Sequence, residues 1–152
     1  MRKFMIVVDE TPECMNALRF AARRASKTGG GVVMLYVIAP EEFQHWVGVG
    51  EVMRAEARET AEERMVTLSE EVEKLAGVLP EFVIREGVAR DEILAQITDD
   101  PEIGVLVLGA GESNDGPGPL VSALAGRNSG AMTIPVTIVP GTLSMERIDA
   151  IC

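Results

Sequence analysis

Five aliphatic runs, the amphipathic stretches between them, and the acids and glycines at their ends predict an α/β domain: a doubly wound, five-stranded parallel sheet with helices on both faces. A strand buried on both faces reads as a continuous apolar run, and each right-handed crossover lays a helix across the sheet. The first run, residues 4–9 (FMIVVD), ends on an acid. Thr11 is placed to cap the next helix and Pro12 to take its first position. From Glu13 to about residue 27, Met15, Leu18, Ala22 and Ala25 recur at spacings of three and four, and Gly29-Gly30-Gly31 stops the pattern. Residues 32–38 (VVMLYVI) form the second strand. Beyond the loop APEEFQHWVGVG, residues 51–76 carry Ala57, Ala61, Met65, Leu68, Val72 and Leu75 on one stripe with charges opposite, a long amphipathic helix closed by Gly77. Residues 81–86 give the third strand, 89–100 a helix with Ile93, Leu94 and Ile97 inward, and 103–110 (IGVLVLGA) the fourth strand. A shorter helix follows in PLVSALAGRNSG, then a fifth strand over 134–139. Residues 1–141 make the domain and 142–152 a tail with one or two helical turns.

The 152 residues, 47% of them hydrophobic, suffice for one domain with a continuous core. No window holds the eighteen or so unbroken apolar residues of a membrane span, and the five apolar residues after Met1-Arg2-Lys3 are too few for a signal peptide. Cys14 and Cys152 have neither metal-ligand nor disulfide spacing, so a reducing, cytoplasmic setting is expected. With 24 acidic against 14 basic side chains, the net charge of -10 repels nucleic acid and anionic membranes.

In such sheets ligands bind beyond the carboxyl ends of the strands, where the strand order reverses. Asp9 to Thr11, Val37 to Pro40 and the segment from Gly109 onward should reach that edge. The stretch LGAGESNDGPGPLVSA, residues 108–123, admits two readings. Gly109, Gly111, Gly116 and Gly118 before a helix, with Ser122 in its first turn, have the makings of a phosphate cradle. Against this, Pro117 and Pro119 supply no N–H, and Glu112 and Asp115 bring negative charge, as suits a plain strand-to-helix connection. No G-x-x-x-x-G-K-[ST] is present, nor a G-x-G-x-x-G after the first strand, so both the P-loop and the dinucleotide fingerprint are excluded. A phosphorelay receiver would need an acid after the third strand and a lysine after the fifth, where REGVAR and VPGTLS stand. His45 and Trp46, the only histidine and tryptophan, are either a hydrophobic anchor for their loop or an aromatic contact for a ligand. Nothing pairs a nucleophile with a base.

VVDETPE, LYVIAP, LVLGAG and the final IPVTIVP together resemble the universal stress protein family, over about residues 2–140. The resemblance implies strand order 3-2-1-4-5 and a small cytoplasmic stress-response protein, usually a homodimer. Such a protein binds ATP or AMP, with Mg2+ accompanying ATP, or acts through protein partners without nucleotide. The nucleotide-binding members carry G-x2-G-x9-G-[ST] after strand four. Here Gly109 matches the first glycine, Gly111 stands one residue early for the second, and Val121-Ser122 takes the place of Gly-Ser. By the same resemblance Asp9 faces ribose and phosphates, Thr11 is the small hydroxyl residue after it, and the main chain of Val37 meets adenine. Family dimers join through the last strand, here Ile134 to Val139, whose hydrophobic edge needs cover from a second copy or from the tail. Three functions remain open: an adenine-nucleotide-binding regulator, a dimeric interaction module without nucleotide, and a slow ATPase.

Overall fold

The computed structural model describes residues 1–40, 50–112 and 114–152, so the expectations for His45 and Trp46 lie outside the described residues. Five strands, β1 (Lys3–Val7), β2 (Gly31–Ile38), β3 (Glu81–Glu86), β4 (Ile103–Ala110) and β5 (Val136–Pro140), form one sheet in the order β3-β2-β1-β4-β5. Every neighbouring pair is parallel. The predicted fold class and strand order are those observed.

Alternate residues of each strand supply two cores. Phe4, Ile6, Val32, Met34, Val107 and Val139 face α1 (Glu13–Thr28) and α2 (Gly50–Ala76), which bring Leu18, Ala21, Ala22, Met65, Leu68 and Val72. Met5, Val33, Leu35, Leu106 and Leu108 face the other way, onto Ile93 and Ile97 of α3 (Ala89–Asp99) and Val121 of α4 (Pro119–Ser122). Both faces are thus shielded, which is why the strands read as unbroken aliphatic runs. Helix α1 ends at Gly29, where the cap N–H returns to the Ala25 carbonyl, and Gly77 closes α2 on Glu73 in the same manner at 2.8 Å.

The limits of β1, residues 3–7 against an expected 4–9, and of three other features differ from expectation. Thr11 does not cap α1: its hydroxyl and its N–H both donate to the Asp9 carboxylate, so Pro12 stands at the cap position without a side-chain bond. An aspartate two residues upstream offers the threonine a stronger acceptor than the helix offers a donor. The helix expected over 119–130 is only four residues of α-helix, then a π-turn (Ala123–Arg127) and a 3-10 turn (Ser129–Ala131). The last strand starts at Val136 rather than residue 134, although the Pro135 carbonyl still accepts from the Leu106 N–H at 3.0 Å.

At the amino edge of the sheet Lys3 reaches Asp100 at 2.9 Å, Glu81 at 3.0 Å and Glu102 at 3.1 Å. Its hydrogen bond to Asp100, with those to the other two acids, holds the ammonium charged well above the ordinary lysine range.

The tail forms a helix, α5 (Met145–Ile151), started by Ser144, whose hydroxyl accepts from the Arg147 N–H at 3.1 Å. It docks on α1 through the fully buried Ile148 and through Asp149, which Arg19 grips with two bonds of 2.8 and 2.6 Å and Arg23 with one of 3.0 Å. The tail therefore covers α1, and Ile138 on the edge strand stays 41% exposed. Bonding to Arg19 lowers the Asp149 carboxyl from its ordinary 3.8 to about 2. A group whose folded pKa is depressed stabilises the fold above its unfolded value and loses that contribution as pH falls through the folded one. Protection of the Ile148 amide in hydrogen exchange should hold down to about pH 4 and decline between there and pH 2. Asp149→Asn should show the lower protection already at neutral pH and no decline in that window.

Candidate functional site

Beyond the carboxyl ends of β1 and β4, where the strand order reverses, lies a cavity of about 190 Å³. Its walls are Val7, Asp9 and Thr11 from β1 and the following turn, Glu13 and Cys14 from the start of α1, Leu108 and Gly109 from β4, and residues 117–121. Three of the six predicted site residues, Asp9, Thr11 and Gly109, meet here on one rim. Gly111 is outside the cavity lining, its N–H bonded to the Pro117 carbonyl. Val37 lies at the same sheet edge, paired with Arg85 of β3, outside the cavity lining. Ser122 is exposed, its N–H spent on the Gly118 carbonyl at 3.1 Å, and it does not line the cavity either.

The turn from β1 to α1 is built around Asp9. One carboxylate oxygen accepts from the Thr11 N–H at 2.8 Å and from the Thr11 hydroxyl, which fixes the acid toward the crevice. The Asp9 carbonyl accepts from Arg64 Nε and Nη2 at 3.2 and 3.0 Å, and the same guanidinium lies 3.9 Å from Glu10. Arg64 thereby ties α2 to the rim, a role sequence reasoning missed. The signal was there: Ala57, Ala61, Arg64 and Leu68 follow spacings of four, three and four, so Arg64 sits on the inward stripe and not among the solvated charges.

The glycine-rich loop explains its own composition. Gly116 and Gly118 have φ of +97° and +108°, where a side chain is strained and open space alone would not make substitution easy. Gly109 is needed for close approach: a Cβ there would overlap the Glu13 carbonyl oxygen and lie 2.7 Å from its carbon. The Gly111 N–H, which a phosphate cradle would use, donates to the Pro117 carbonyl at 3.0 Å and closes the loop on itself. Pro117 and Pro119 contribute no N–H to the cavity wall.

The electrostatics point the same way. Two carboxylates, Asp9 and Glu13, line the cavity, and no lysine or arginine does so among the described residues. The Cys14 thiol in the wall is buried, and burial pushes its pKa up, away from the thiolate form. Among the described residues no three His, Cys, Asp or Glu side chains converge as a metal site. Nor is any helix there long and apolar enough to cross a membrane. Pockets that enclose drug-sized ligands run to about 300–1,000 Å³. The cavity is thus below that range, and its two carboxylates offer a phosphate chain no counter-charge.

The universal stress protein family model matches residues 1–140. Among solved structures, a universal stress protein from Lactobacillus plantarum superposes with a TM-score of 0.74 at 20% identity, covering 91% of this chain and 97% of the other. A universal stress protein in complex with cAMP gives 0.58 at 15% identity, covering 91% and 96%. One from Archaeoglobus fulgidus in complex with dAMP gives 0.56 at 16% identity, covering 91% and 98%. At these identities the likeness is one of fold. No curated protein matches the chain.

The contact between Gly109 and α1 has a measurable cost of disruption. Gly109→Ala should lower stability in urea unfolding by about 1–3 kcal/mol, because backbone must move to admit the methyl group. Gly126→Ala, where a Cβ meets nothing within 4 Å, should fall within about 0.5 kcal/mol of the parent.

Proposed function

The chain belongs to the universal stress protein family, and on that premise we propose that it is a non-catalytic regulatory protein. Its crevice between β1 and β4 binds an adenine mononucleotide of the AMP class weakly and discriminates against ATP. The observation that carries this reading is the meeting of Asp9, Thr11 and Gly109 on one cavity at the point where the strand order reverses. Two similar structures contain cAMP and dAMP, each a nucleoside with one phosphate, which supports the same ligand class. A triphosphate would bring about four negative charges to a protein of net charge -10, into a wall holding two carboxylates. Mg2+ would enter only as a companion of a phosphate chain. Within the cavity Asp9 would orient the ribose, as a carboxylate already held by Thr11.

A second reading, a dimeric interaction module joined through the last strand, is favoured by the edge itself. β5 pairs with β4 on one side only, and Ile138 stands 41% exposed on it while the tail packs elsewhere. Cytoplasmic action through protein partners belongs with this reading, and the two functions are compatible in one molecule.

Thermal melting separates the ligand classes. At ten times its dissociation constant a ligand adds about 1.4 kcal/mol, about 3–6 °C for a domain of this size. AMP at several millimolar should raise the melting temperature by that amount and ATP by less; no shift with either defeats the nucleotide reading. For the dimer, sedimentation equilibrium should give twice the chain mass, and Ile138→Asp should return the monomer. A parent that sediments as a monomer at micromolar concentration contradicts association through β5.

A further inference from the structure

We propose that Glu13 is the specificity-determining residue of the crevice: its carboxylate occupies the ground a phosphate chain needs and so limits the site to an adenosine moiety with at most one phosphate. This inference rests on the reading of the crevice as an adenine-nucleotide site and identifies the group that sets its preference.

The position of Glu13 is fixed from three sides, each of them a glycine. Its carbonyl lies against Gly109, where any Cβ would overlap it. Its own Cβ is 3.2 Å from the place a Cβ would take at Gly141, and its Oε1 is 3.2 Å from the corresponding place at Gly111. The space a side chain would take at 109 and 111 is met first by Glu13, and at 141 Glu13 shares it with the Ala110 carbonyl and Glu112. Glycines that in a phosphate cradle would let backbone approach a ligand here let it approach a carboxylate of the same chain.

The chemistry of the spot favours an anion, and the chain supplies its own. Glu13 is the first residue of α1, where the helix dipole favours negative charge although the Cys14 and Met15 N–H groups are already spent on the Thr11 and Pro12 carbonyls. Occupation by the carboxylate satisfies that preference in advance. A phosphate entering beside it meets a like charge in a partly shielded crevice, with no lysine or arginine in the described lining to offset it. The Gly111 N–H is held by the Pro117 carbonyl. Each further phosphate adds to the repulsion without gaining a donor.

The test compares adenosine, AMP and ATP by isothermal titration against the parent, Glu13→Gln, Glu13→Ala and Glu10→Gln. Glu10 is exposed, absent from the cavity wall and paired with Arg64 at 3.9 Å, so its substitution makes the same change in net charge outside the lining. Removing a like charge at close range should raise the ratio of AMP to adenosine affinity by about tenfold in Glu13→Gln, and raise ATP affinity by at least as much. Glu10→Gln should change that ratio by less than about twofold. Glu13→Ala keeps the test alive if the glutamine amide finds a new partner, and melting curves establish that each variant is folded. Equal effects of Glu13→Gln and Glu10→Gln, or none from either Glu13 variant, overturn the inference while AMP binding by the parent leaves the proposed function standing. A parent that binds nothing while Glu13→Gln takes up AMP supports the inference and defeats the reading of the parent as a nucleotide binder. Absence of binding in every variant overturns both.

Discussion

The start of α1 rests directly on the backbone of β4, and the missing side chain at Gly109 is what allows it. With the Glu13 carbonyl seated there, the turn from β1 is drawn across the sheet edge, and Asp9, Thr11 and Glu13 come to face the loop that leaves β4. The crevice at the reversal of strand order is a general property of doubly wound sheets. Its width and the charge of its walls are particular to this chain, and both follow from that one helix-to-strand contact. A larger residue at 109 would lift α1, open the crevice and release the loop together, since all three share a boundary.

Charge decides between the uses such a crevice might have. Helix α1 begins with an acid, the turn before it opens with one, and the guanidinium of Arg64 spends its bonds on the Asp9 carbonyl. The cation thus stiffens the rim without entering the cavity. A site arranged in this way holds its own negative charge and gains little from a ligand that brings more. The same argument leaves the neutral part of the wall untouched, where Thr11, Leu108 and Val121 offer a hydroxyl and apolar surface whatever the charge of a ligand.

Much of this was legible in the sequence because burial on two faces leaves an unmistakable trace. β3 and β4 coincide with their expected limits, and the inward stripe of α2 holds Ala61, Met65, Leu68 and Val72 as its spacing predicts. What escaped was set by contacts between distant residues. Thr11 looked like a cap until Asp9 was seen to take its hydroxyl, a local competition that propensity does not resolve. The glycines at 109 and 111 looked like a ligand's requirement, yet the neighbour that takes the space is Glu13, 96 and 98 positions earlier in the chain. Spacing shows that glycine is wanted and is silent on what approaches it. Gly111, Ser122 and Val37 fall outside the cavity lining: Ser122 is exposed on α4, and Val37 lies on β2, one strand removed from the crevice between β1 and β4.

Proton-proton contacts in solution by NMR would test most directly whether α1 begins on β4. The packing described here predicts strong cross-peaks from the two α-protons of Gly109 to the α- and β-protons of Glu13, together with contacts from Glu13 to Gly141. Absence of all these cross-peaks in a folded sample, with Gly109 instead close only to its neighbours in β1 and β5, would contradict it.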